Sequence, residues 1–227
     1  MNRRPPSTKR AALAATALTA GTLLAGTAPM EPPRHVILVP GIWDTAGTLR
    51  KMAAALRDAG LEPTVVPLTP NNGRIGLDVL AGQVRDAIER HVPNDVRFSI
   101  VGFSMGGLVA RSYLRQFGDP ARIATFVSIS SPHRGTWMAW FSAAPGVRDM
   151  RPDSAFLKAV DADAHRYHAT KWITIRTPLD LMILPSSSST LPWARNESLP
   201  VLMHPLMVLD GRVVRRIVHE LGPPPAG

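Results

Sequence analysis

A serine set between glycines, four later histidines and an aspartate closing an apolar run are the residues of this chain that could act together. The serine lies in Gly102-Phe103-Ser104-Met105-Gly106. Before it, Arg97 to Val101 is short, apolar and β-branched, which predicts a strand. After it, apolar residues at 105, 108, 109, 112 and 113 predict a helix over Met105–Phe117. A strand–serine–helix junction is so tight that the serine backbone is strained and its hydroxyl projects above the sheet. Side chains two residues to either side would collide, which accounts for Gly102 and Gly106. The helix N-terminus then aims the Met105 backbone N–H at a developing oxyanion. The alternative is a chance glycine-bearing loop, and the flanking pattern argues against it.

A serine nucleophile needs a base, an orienting acid and oxyanion donors. When the nucleophile sits at such a turn, the chain order is serine, acid, histidine. His133, His165, His168 and His204 follow Ser104 and precede the last helical stretch. His204 lies after the last expected strand and before the closing helix, where the base belongs. His133, in Ser131-Pro132-His133-Arg134-Gly135, precedes any plausible acid and is expected at most to line a pocket. For the acid, Asp180 follows the expected strand Lys171–Arg176; the alternative is a turn residue. Asp153, Asp161 and Asp163 are expected on solvated helix faces, and Asp210 as a helix N-cap. The second oxyanion donor should come from the loop after the first strand, where Gly41 admits close backbone approach. That makes Ile42 N–H the candidate, with a simple Pro40-Gly41 turn as the alternative.

The elements that position these residues alternate. Strands are expected at His35–Val39, Pro63–Leu68, Arg97–Phe103, Arg122–Ile129, Lys171–Arg176 and, as a short last one, Pro200–Met203. Helices are expected at Thr45–Ala59, Ile75–His91, Met105–Phe117 and Asp210–Leu221. Strands apolar on both faces and separated by helices demand a mostly parallel sheet with helices on both faces. Residues 135–170 read as a small, irregular helical insertion. Its Trp137, Met138, Trp140 and Phe141 are either a lid or acyl-chain wall, or simple packing onto the body.

Residues 1–30 differ from the rest. Arg3, Arg4, Lys9 and Arg10 precede an Ala/Thr/Leu stretch and the small residues Ala25-Gly26-Thr27-Ala28. This is the plan of an export signal, so the expected organisation is a signal over 1–30 and one catalytic domain over 31–227, with a secreted or periplasmic destination. The formal charge is +9; without residues 1–30 it is +5, from 22 basic against 17 acidic residues. The arginines are too scattered for a nucleic-acid footprint, and mild attraction to anionic lipid surfaces is compatible with the charge. The chain has no cysteine, which excludes disulfides, thiolate catalysis and zinc–cysteine sites. No residue pattern calls for a cofactor or a metal.

His35-Val-Ile-Leu-Val-Pro-Gly-Ile42, Gly102-Phe-Ser-Met-Gly-Gly-Leu-Val-Ala-Arg111 and Ser131-Pro-His-Arg-Gly135 resemble the small bacterial triacylglycerol lipases and esterases of the α/β-hydrolase superfamily. The Ser-Met-Gly-Gly-Leu-Val-Ala-Arg string is also similar to inositol-deacylase-like proteins. The resemblance spans roughly Arg34 to Leu221. It implies a reduced α/β-hydrolase fold, a Ser104–Asp180–His204 triad with Ile42 and Met105 as oxyanion donors, and a small-molecule or lipid ester as substrate. The chain departs from the family with Pro40 where a histidine is usual, with a looser acid loop at Asp180–Pro185, and with Pro205 after His204. An acyltransferase or thioesterase with the same triad, and a non-catalytic binding protein on the same fold, stand as alternatives.

Overall fold

The computed structural model describes Met1, residues 33–45 and residues 47–222. The expected export signal lies outside these residues apart from Met1. Residues 33–222 fall within one compact unit.

Six strands form one wholly parallel sheet: β1 (His35–Val39), β2 (Glu62–Val65), β3 (Phe98–Phe103), β4 (Ile123–Ile129), β5 (Lys171–Arg176) and β6 (Arg195–Ser198). Their spatial order is β2-β1-β3-β4-β5-β6. The helices are α1 (Arg50–Asp58), α2 (Leu77–His91), α3 (Met105–Phe117), α4 (Pro145–Asp149), α5 (Ala155–Ala162) and α6 (Gly211–Leu221). The period-two alternation of the strands divides the core. Ile37, Val39, Ile100 and Phe126 pack with α2, α3 and α5 on one face. Val36, Leu38, Val101, Val127 and Ile175 pack with α1 and α6 on the other. Each buried aliphatic side chain contributes about 1.5–3 kcal/mol, so the central strands form a rigid platform for whatever leaves their C-terminal ends.

Three expectations shift. The first helix starts at Arg50 rather than Thr45, because Thr45 and Thr48 side chains take the Gly47 and Thr45 N–H groups and hold a turn. The second strand stops at Val65. The last strand is not Pro200–Met203 but the polar run Arg195–Ser198, paired in register with Ile173–Arg176. Ion pairs hold this edge strand. Glu220 on α6 meets Lys171 at 2.7 Å, Arg195 at 2.5 Å and Arg216 at 3.1 Å, while Arg216 also grips Glu197 at 2.7 Å. Burial alone would raise the Glu220 carboxyl, but its cationic partners outweigh it and bring the pKa down to about 2. Asp210 caps α6 as expected, accepting the Arg212 N–H at 2.8 Å.

Candidate active site

Ser104 stands between the last residue of β3 and the first of α3, at φ 53° and ψ −125°. A non-glycine residue there carries strain of about 1–3 kcal/mol, and the structure shows what enforces it. A Cβ at Gly102 would come within 2.6 Å of Gly107 N, and one at Gly106 would overlap the Val39 and Pro40 carbonyl oxygens. One at Gly107 would strike the Ser131 side chain. The elbow is therefore clamped between β1 and the loop after β4. Ser104 N–H donates to Ile129 O at 2.8 Å, and Gly107 N–H to Ser104 O at 3.1 Å.

Asp180 and His204 meet. His204 Nδ1 lies 2.8 Å from Asp180 Oδ2, and both side chains are buried. With the carboxyl ionised, Nδ1 carries the proton and Nε2 is left as the acceptor. Asp180 Oδ1 accepts the Met182 N–H at 2.9 Å and the Ile183 N–H at 2.8 Å. Burial alone would raise the Asp180 carboxyl. The hydrogen bond and charge of His204, with those two N–H groups, more than offset it and hold the pKa below the usual carboxylate value. The Thr177 hydroxyl ties the acid loop to the approach to His204, donating to Val201 O at 2.6 Å and accepting the Val201 N–H at 3.2 Å. The His204 ring stacks on Phe103, the residue just before Ser104, with centroids 4.9 Å apart and planes at 30°. In this arrangement the hydrogen-bond chain ends at His204: the Ser104 hydroxyl makes no hydrogen bond to the ring.

The two expected oxyanion donors are Ile42 and Met105. Neither the Ile42 N–H nor the Met105 N–H has a hydrogen-bond partner among the described residues. Ile42 sits in a turn, Gly41 to Asp44, in which Trp43 has φ 60°. Asp44 and Asn71, which bind this turn, are absent from the reading of the sequence. No motif marks either, and Asn71 acts from a loop thirty residues away. Burial raises the Asp44 carboxyl against the opposing pull of the Thr48 side chain, the Gly41 N–H and the His204 charge.

Ser104 opens on a cleft of about 340 Å³ lined mainly by apolar side chains, among them Ile42, Met138, Phe141, Val147, Met150 and Met182. The Trp137–Phe141 segment is a 3-10 helix, and Met138, Ala139 and Phe141 from it form one wall. Trp137 and Trp140 instead face outward, with the Arg151 guanidinium 4.4 Å from the Trp140 ring centroid. The Thr136 hydroxyl stitches the insertion to the acid loop, donating to Met182 O and accepting the Leu184 N–H, both at 2.9 Å.

His133 does not line the cleft. It is fully buried behind the elbow, with Nε2 2.7 Å from the Ser128 hydroxyl. Burial and then the nearby Arg111 charge push its pKa well below the ordinary value, so it is a neutral core histidine. Asp161 does lie on an exposed face of α5, as expected, and pairs there at 2.5 Å with the buried Arg111 of α3. Among the described residues no group of three or more His, Cys, Asp or Glu side chains could hold a metal, and no described helix is long and apolar enough to cross a membrane.

A parallel sheet with a strained serine after β3, an acid after β5 and a histidine before the closing helix defines an α/β-hydrolase. Solved structures share this fold. The mature form of Bacillus licheniformis lipase BlEst2 superposes with a TM-score of 0.64 at 15% identity, over 86% of this chain and 93% of that one. Aspergillus fumigatus lipase B gives a TM-score of 0.66 at 18% identity, over 78% of this chain but only 49% of the longer enzyme. A structure from the metagenome-derived lipolytic enzymes LipS and LipT gives 0.65 at 14% identity, over 85% and 95%. No curated protein sequence matches significantly. The sequence pattern of the palmitoyl protein thioesterase family matches residues 35–166, and the chain belongs to that family. The match takes in the elbow and Ile42, and it ends before Asp180 and His204.

Proposed function

We propose that the chain is a serine hydrolase of carboxylic esters with an apolar acyl group, working through an acyl-enzyme on Ser104. The buried Asp180–His204 pair at 2.8 Å, stacked on the residue preceding the elbow serine, carries this reading. When substrate fills the cleft, Ser104 turns to His204 Nε2, a hydrogen bond of the kind that tightens only in the Michaelis complex. Its oxygen attacks the carbonyl as Nε2 takes the proton, and Asp180 stabilises the imidazolium. The Ile42 and Met105 N–H groups receive the oxyanion, a contribution of about 3–4 kcal/mol for each donor. His204 then protonates the leaving group, and water releases the acid by the same steps.

A thioester in place of the ester is the second reading, and the family match favours it. Turnover of an oxoester and a thioester bearing the same acyl chain separates the two. Trp43 and Phe141 line the cleft and are exposed, Phe141 to 84%, and Leu181, next to the lining Met182, is exposed to 74%. Such a rim suits a substrate presented at a lipid surface, and the basic stretch at residues 1–30 suits export to meet one.

The decisive experiment is labelling with a fluorophosphonate probe followed by peptide mapping. The probe should mark Ser104, and Ser104→Ala should be silent and inactive on p-nitrophenyl esters while remaining folded. A folded wild-type protein that does not label is a binding protein and not a hydrolase, and a Ser104→Ala variant with full turnover would end the serine mechanism.

A further inference from the structure

The four N–H groups of the turn after β1 have unequal fates. Gly41 N–H donates to Asp44 Oδ2 at 3.0 Å, Trp43 N–H to Asn71 O at 2.7 Å, and Asp44 N–H to Gly41 O at 3.3 Å. The Ile42 N–H alone is left over, on a residue that lines the cleft together with Ser104. Nothing intrinsic favours this arrangement. Trp43 is held at φ 60°, a region that a bulky aromatic residue avoids. The turn persists because it is tied from outside: Asn71 Nδ2 donates to Gly41 O at 2.8 Å and to Asp44 O at 2.5 Å.

We propose that Asp44, seconded by Asn71, is a positioning residue that fixes the Ile42 N–H as an oxyanion donor. The proposal rests on the serine mechanism above. The carboxylate takes the one competing donor, Gly41 N–H, and locks the turn in a conformation it would otherwise leave. The space is shaped for it. A Cβ at residue 41 would lie 2.7 Å from Asp44 Oδ2 and 3.0 Å from Ser104 Cβ. The carboxylate and the nucleophile thus flank one missing side chain, and glycine at 41 is what lets both approach. Ionised or protonated, the Asp44 side chain keeps an oxygen for the Gly41 N–H, so the role is a hydrogen bond rather than a charge. An asparagine oxygen can perform it; an alanine cannot.

Because the oxyanion exists only in the transition state and its tetrahedral intermediate, a misaligned Ile42 N–H should slow turnover without weakening substrate binding. Asp44→Ala is expected to lower kcat 10- to 100-fold, the scale of a misplacement near 1 Å, with KM changed less than about twofold. Asp44→Asn should recover most of that loss. Unchanged kcat in a folded Asp44→Ala protein, a loss carried by KM, or an Asp44→Asn variant as slow as the alanine would each overturn the assignment. Should Asp44→Ala not fold, Asn71→Ala takes its place with the same kcat-borne loss expected, and a wild-type kcat there overturns it as well. Wild-type protein that fails to label with fluorophosphonate would refute the underlying mechanism instead, so the two failures are distinguishable.

Discussion

Asp180→Asn is the sharpest probe of the acid–base pair, because the surrounding hydrogen bonds dictate how the amide must sit. Oδ1 of the native carboxylate accepts two backbone N–H groups, from Met182 and Ile183. In the variant the amide oxygen has to stay there. Reversing it would point an NH2 group at two donors and leave both unpaired, at about 1–3 kcal/mol for the buried Ile183 N–H and less for the part-buried Met182 N–H. The amide nitrogen therefore faces His204 Nδ1, where the carboxylate Oδ2 stood at 2.8 Å. Both atoms cannot donate, so Nδ1 becomes the acceptor and the ring proton moves to Nε2. The nitrogen that should receive the Ser104 proton is then already protonated. Expected is a fall in kcat of roughly 10³–10⁴-fold, equivalent to about 4–5 kcal/mol of transition-state stabilisation. The fold should survive with a modest drop in melting temperature, since both backbone donors keep their acceptor. Steady-state hydrolysis of a p-nitrophenyl ester, with a thermal melt as control, reads both. A folded Asp180→Asn protein within tenfold of the wild-type kcat would show that this aspartate does not set the tautomer.

Gly106→Ala should destabilise the protein by about 3 kcal/mol or more, because the added Cβ runs into the Val39 and Pro40 carbonyls of a strand end that has nowhere to move; a normal melting temperature would contradict the packing described. Glu220 has a folded pKa near 2 against an ordinary 4.5. Its contribution is thus complete above pH 4.5 and lost as pH falls towards 2, and Asp180, also depressed, acts in the same direction. Glu220→Gln should flatten the acid limb of the stability curve, and a curve parallel to that of the wild type would refute the clamp. Replacing Phe141 by serine should lower kcat/KM for long acyl esters more than for acetate, since Phe141 walls the cleft, and an equal effect on both would remove it from the acyl site.

How much of this was legible before the structure depended on the range of each interaction. The elbow was legible because its causes are local. Glycine spacing, an apolar strand and a periodic helix all fall within about twenty residues, and steric exclusion around Ser104 operates between chain neighbours and β1. The parallel sheet followed from strands buried on both faces. Chain order singled out His204 and Asp180, which the structure brings within 2.8 Å of each other, even though the strand expected before His204 was misplaced. The real β6 is polar and is held by cations and carboxylates contributed by β5 and α6. Hydropathy cannot register a strand stabilised by charge pairs across elements.

The chain on its own therefore determined which side chains are chemically able to act and the order in which the fold presents them, because those are matters of local sterics and periodicity. Only the tertiary structure decided how they are aimed. It put Asp44 and Asn71 on the Gly41–Asp44 turn, Thr177 between the Asp180 loop and the approach to His204, Thr136 between the insertion and the Asp180 loop, and His133 in the core instead of the cleft. These are single polar contacts spanning up to some fifty residues of chain, and they exist only once packing has closed the distance.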